Sequence, residues 1–209
     1  FPLEVLDAFG LEGVWLPVSP RSQYPRADAL IQGYTCTYAR SCAEVLLNRE
    51  LPVGLVRAAS GCDAQLALPS VLSGAGSDVP IVNLKPPVAV GTSAAASHAI
   101  RALEEFCDTV AGVLGRPLDE EALTAAVVAR ESVRVRVDDL FLRMARGDVS
   151  AFGAYGAAIA SQVLHPEDFL GLLDAADLSR GEASDGVPIL VSGTVLPSAR
   201  FVADVEALG

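Results

Sequence analysis

Residues 33–63 read GYTCTYARSCAEVLLNRELPVGLVRAASGCD. Two cysteines in this stretch, Cys36 and Cys62, each stand where an apolar helical pattern is about to begin. A strand-like run, VGLVRAA at 53–59, leads into Cys62, and a helix-like run, CDAQLALPSVL at 62–72, follows it. A residue at a strand-to-helix turn lies at the carboxyl edge of a parallel sheet, where open α/β folds bind ligands. It also faces the unpaired N–H groups and the positive dipole end of the next helix. An anion is favoured there, whether a thiolate or an iron–sulfur cluster. Buried cysteines also simply fill small core spaces. No C-x-x-C is present, and the separation of Cys36 and Cys62 matches no compact cluster motif. Spacing alone leaves both roles open.

Working outward, the chain opens with a short helical pattern at 2–9, with Pro2 in its first turn. GVWLPV at 13–18 reads as a buried strand with Trp15 in the core, and 19–33 reads as loop. A helix is expected from Cys36 to about Asn48. If both were helical, Cys36 and Cys42 would lie roughly 240° apart around the axis, so Cys42 reads as core. VPIVNL at 79–84 reads as a strand, and Lys85-Pro86-Pro87 breaks the pattern. Helices follow at 93–114, closed by Gly115 and Pro117, and at 119–146, acidic at its start and Arg-rich at its end. Two shorter helices are expected at 151–164 and 166–177. VPILVSGTV at 187–195 reads as another strand, with Ser192-Gly193-Thr194 placed to line an interdomain cleft, and a last helix at 200–208. The expected fold is α/β: a Rossmann-like or flavodoxin-like parallel-sheet unit at 1–90, a helical block at 91–182, and the start of a second α/β unit at 183–209.

The motifs and their order resemble the 2-hydroxyacyl-CoA dehydratase family, which includes benzoyl-CoA reductase subunits. The residues that carry the resemblance are Pro2-Leu3-Glu4, then Cys36-Thr37-Tyr38-Ala39-Arg40-Ser41, then Gly61-Cys62-Asp63. It continues through VPIVNLKPP, LGRPLDEEAL and VPILVSGTVL, and so covers most of the chain. One departure lies before the second cysteine, where Ser60-Gly61 replaces the family's more usual pair ending in Thr.

The resemblance implies that Cys36 and Cys62 are two ligands of a 4Fe–4S cluster. It implies ketyl-radical elimination of water from a 2-hydroxyacyl-CoA, after one-electron reduction by an ATP-dependent activator. The implied partners are an acyl-CoA thioester substrate, that activator, and a second, related subunit in a heterodimer or a second copy of the chain. Glu4, Tyr38, Arg40 and Ser41 become candidate catalytic residues, and Thr35 and Thr37 further hydrogen-bond donors to cluster or thioester. Glu4 is better read as a solvated first-turn acid that favours the helix dipole, and Arg40 equally suits a helix cap or an ion pair. A reductase sibling, with a related or double-cubane cluster, and a non-catalytic partner subunit are the alternatives. Both ends read as cut: the chain starts at Phe1 beside the first motif and stops inside an expected strand–helix–strand unit. The third cysteine ligand is expected in the part beyond, and the 209-residue chain alone is expected not to hold a stable cluster.

Composition narrows the classes further. The net charge of −11 argues against a nucleic-acid binder, which needs a basic face. Half of the chain is apolar, enough for a sizeable core. Four cysteines in 209 residues do not suggest a secreted disulfide scaffold. Neither a signal-peptide pattern nor a stretch of about 18 apolar residues is visible, so a soluble cytoplasmic protein is expected. No G-x-S-x-G, H-E-x-x-H or P-loop supports hydrolysis or phosphoryl transfer. His98 and His165 are isolated, and Cys107 sits among Leu103, Phe106 and Val110 as a core residue.

Overall fold

The structure is a computed structural model that describes residues 2–13, 15–16, 23–51, 54, 56–58, 62–87, 89–178 and 199–208. The chain divides into two compact units. One joins Phe1–Trp15 to Asp119–Gly209, and the other is Leu16–Leu118.

The Leu16–Leu118 unit carries both cysteines of interest. Helix α1 (Leu3–Ala8) belongs to the other unit, and the elements here run α2 (Pro25–Asp28), α3 (Thr37–Leu47), β1 (Val56–Ala58), α4 (Asp63–Gly74), β2 (Ile81–Asn83) and α5 (Ser93–Leu114). β1 and β2 pair in parallel, with Val56 opposite Ile81 and Ala58 opposite Asn83, and α4 makes the crossover between them. Tyr24, Ala27, Ala43, Leu47 and Leu72 form the core, with Leu46, Leu68 and Ile81 packed against it, so α2, α3 and α4 meet there. Thr92 caps α5 by accepting from the Ala95 N–H at 3.1 Å, and Gly115 ends it at φ 67°, a left-handed turn that glycine enters without steric cost.

The other unit is built around the long helix α6 (Glu120–Arg146). Asp119 caps it, accepting from the N–H groups of Glu121 and Ala122 at 2.9 and 3.2 Å. Glu120 and Glu121 lie in its first turn and Arg143 and Arg146 in its last, each end charged to complement the helix dipole. Helices α7 (Ala151–Ala160) and α8 (Pro166–Ala175) pack on it through Val133, Leu140, Val149, Ala154, Phe169 and Leu173. In α9 (Ala199–Glu206), the Glu206 carboxylate accepts from the Ala151 N–H at 3.0 Å, satisfying an open donor at the start of α7. Helix α1 packs on α6, and two ion pairs fix its register. Asp7 takes two hydrogen bonds from Arg130, at 2.7 and 3.0 Å, and Glu4 pairs with Arg134 at 2.5 Å.

The expected Rossmann-like or flavodoxin-like α/β fold is corrected by this architecture. Among the described residues helices dominate, and the strands are two three-residue segments that build no wider sheet. Proline lacks the N–H that a ladder requires, and Pro80 and Pro86-Pro87 bracket β2 closely. The strand expected at 13–18 does not form across Gly13, Trp15 and Leu16. Trp15, expected in the core, is 41% exposed, and its N–H donates at 2.8 Å to the Gln162 carbonyl, a loop contact. The strand expected at 187–195 lies outside the described residues. No helix among the described residues is long and apolar enough to cross a membrane.

Candidate functional site

Cys36 and Cys62 occupy equivalent places in two helices of one unit. Cys36 is the N-cap of α3 and Cys62 the N-cap of α4, and neither side chain hydrogen-bonds into its helix. Both carry free thiols, and both are exposed. Cap residues of the usual kind, Ser, Thr, Asp or Asn, would use an oxygen to satisfy a first-turn N–H. A thiol does so weakly, and neither Cys36 nor Cys62 satisfies a first-turn N–H of its helix. The first turn of α3 holds no acidic residue, whereas α4 has Asp63 there.

The other two cysteines differ. Cys42 is buried, and its thiol is pushed up to about 11 by desolvation. A hydrogen bond with Tyr38 opposes that rise, and the nearby Cys36 adds to it. Cys107 is half-buried and is also raised, first by burial and then by Asp108. Neither is presented to solvent as Cys36 and Cys62 are.

The remaining motif residues cluster at the start of α3. The Tyr38 hydroxyl donates to the Leu16 carbonyl at 3.4 Å. Ser41 is buried at 1% exposure. Thr37 is exposed and Thr35 half-buried. The Arg40 guanidinium donates to Asp28 and lies over the Tyr24 ring, so its ion-pair reading is realised in the structure. Glu4 lies in the other unit, on α1, buried and paired with Arg134. Its ordinary reading as a solvated acid is corrected, because α1 turns that face onto α6. The residues 192–194 lie outside the described ones. Among the described residues, no three His, Cys, Asp or Glu side chains gather into a group able to hold a metal ion.

Sequence reasoning passed over Glu44 and Asp28. Glu44 is 2% exposed, and its carboxylate accepts from the N–H groups of Arg26 and Ala27 at 3.0 and 2.8 Å and from Asn48 at 2.9 Å. The available signal was a single carboxylate inside the apolar run CAEVLL, which must find donors if its helix face is buried.

The family model described as 2-hydroxyglutaryl-CoA dehydratase, D-component, matches residues 1–209, the whole chain, and the protein is a member of that family. No curated protein matches the chain in a sequence search.

Proposed function

We propose that this chain is the iron–sulfur subunit of a 2-hydroxyacyl-CoA dehydratase-like enzyme, in which Cys36 and Cys62 are two thiolate ligands of a 4Fe–4S cluster. The observation that carries the reading is the shared placement of two exposed, free thiols at the uncapped starts of α3 and α4, helices packed in one unit. The chemistry of this donor pair fits the group. Cluster ligation uses thiolates, and the assembled cluster is anionic, so two helix N-termini are a favourable surrounding for it. Two thiolates are fewer than the three or four such a cluster takes, so the reading requires further ligands in addition to Cys36 and Cys62.

The chemistry such a group supplies when bound is a single low-potential electron for the thioester carbonyl of a 2-hydroxyacyl-CoA, which makes the C2 hydroxyl expellable. The chain's own residues do the rest. The first-turn N–H groups of α3 and α4 stabilise negative charge at the two sulfurs. Burial raises the Cys42 thiol and shields it from solvent, so it is less available to metal than Cys36 and Cys62. Tyr38 ties the first turn of α3 to the Leu16 backbone. A related second subunit and an ATP-dependent activator complete the proposed system.

The test is water elimination from 2-hydroxyacyl-CoA by the anaerobically purified protein with its partner subunit and activator, followed by appearance of the enoyl-CoA. Activity should vanish in Cys36→Ser and Cys62→Ser and persist in Cys107→Ser. Full turnover in either of the first two variants would remove the assignment.

A further inference from the structure

The start of α3 is braced by a four-residue helix. Tyr24 and Asp28, at the two ends of α2, both engage Arg40 of α3. Arg40 Nε and Nη2 donate to Asp28 Oδ1 at 2.7 and 2.5 Å, and the guanidinium carbon lies 4.7 Å from the Tyr24 ring centroid. A planar guanidinium can stack on a ring while its edge donors reach a carboxylate; an ammonium cannot do both. The ring gripping it is itself fixed, since Tyr24 is 2% exposed within the core. Further along α3, Glu44 accepts from the first N–H groups of α2, while the Arg26 guanidinium donates to the Leu47 carbonyl at the end of α3. The two helices therefore satisfy each other's open ends. The Arg40 N–H in turn donates to the Cys36 carbonyl at 3.1 Å, closing the turn that carries the thiol.

We infer that Tyr24, Asp28 and Arg40 form a brace that fixes the backbone of the Cys36 turn, which makes them positioning residues for that thiol. Arg40 then acts through the brace and not by contact with substrate. The consequence for metal retention rests on the reading of Cys36 as a ligand; the brace itself does not.

Hydrogen exchange in the full chain separates the two. The amide of Arg40 reports the braced turn, and the amide of Asn48, which donates to the Glu44 carbonyl at 3.0 Å, reports the far end of the same helix. Asp28→Asn and Tyr24→Leu should speed exchange at Arg40 by about five- to tenfold, with Asn48 unchanged in Asp28→Asn and less affected than Arg40 in Tyr24→Leu, whose ring also packs in the core with Leu47. Asp28→Glu should recover part of the protection, and Tyr24→Phe, which keeps the ring face, should recover most of it. No change at Arg40, or equal acceleration at both amides, overturns the brace. A second readout is iron release to a chelator after anaerobic reconstitution. If the unaltered protein, reconstituted together with its partner subunit, retains no iron, the ligand assignment fails while the exchange result stands on its own. If it retains iron, Asp28→Asn should release it several-fold faster; an unchanged rate overturns the positioning role.

Discussion

Removing Asp7 should be among the most damaging single changes available in the Phe1–Trp15 and Asp119–Gly209 unit. The Asp7 and Arg130 side chains are 8% and 5% exposed and share two hydrogen bonds of 2.7 and 3.0 Å. With the carboxylate gone, Arg130 stays buried with its charge uncompensated, and such losses cost about 3–5 kcal/mol. For a chain of this size each kcal/mol moves the melting temperature by roughly 2–4 °C, so Asp7→Ala should lower it by about 10 °C. Arg136→Ala provides the control. It breaks the Asp174 pair, whose side chains are 43% and 65% exposed, and should cost less than about 1 kcal/mol. Replacing both buried partners, as Asp7→Leu with Arg130→Met, should recover most of the loss, because no charge is then stranded. The assay is urea unfolding followed by circular dichroism and by the fluorescence of Trp15, the one tryptophan, which lies in this unit. An Asp7→Ala cost below about 1 kcal/mol, or a double variant no better than the single, would refute the reasoning.

Glu44→Ala should destabilise the Leu16–Leu118 unit by about 2–3 kcal/mol, since it strands one buried and one part-buried N–H donor of α2, as read by denaturant midpoint. Arg49 sits at φ 53° just past the end of α3, so Arg49→Gly should be more stable than Arg49→Ala by about 1 kcal/mol in thermal unfolding; both lose the exposed Asp78 pair, which isolates the backbone effect. Thiol labelling of the native apo-protein at pH 8, read by mass spectrometry, should modify Cys36 and Cys62 first, Cys107 more slowly and Cys42 last. The Cys42 thiol is raised from 9.0 to about 11, so the folded state holds its proton longer than the unfolded chain; stability should therefore fall as pH rises from 9 towards 11, a slope that Cys42→Ala should reduce.

The helix ends were legible because local chemistry fixes them. Asp119 with Glu120 and Glu121, Gly115 with Pro117, and Pro166 each mark a boundary through their own hydrogen-bonding or backbone geometry, and the structure places the helices there. The wider sheet was misread because a short apolar run of four to eight residues suits a buried helix, a loop or a strand equally. Trp15 illustrates this, lying in an apolar run yet 41% exposed. The placement of Cys36 and Cys62 at helix starts was readable from the onset of periodicity after each. The partners of Arg40, Glu44 and Arg130 were not. Those pairings join residues that are 12, 17 and 123 positions apart, and which acid meets which base depends on how helices pack.

The central claim, that Cys36 and Cys62 both ligate one cluster, is tested most directly by counting iron and acid-labile sulfide per chain. The measurement compares the protein, reconstituted anaerobically together with its partner subunit, with its Cys36→Ser and Cys62→Ser variants. The account predicts about four iron and four sulfide in the unaltered protein and a loss of both in each variant, with the fold retained by circular dichroism. Undiminished iron and sulfide in either variant would contradict it.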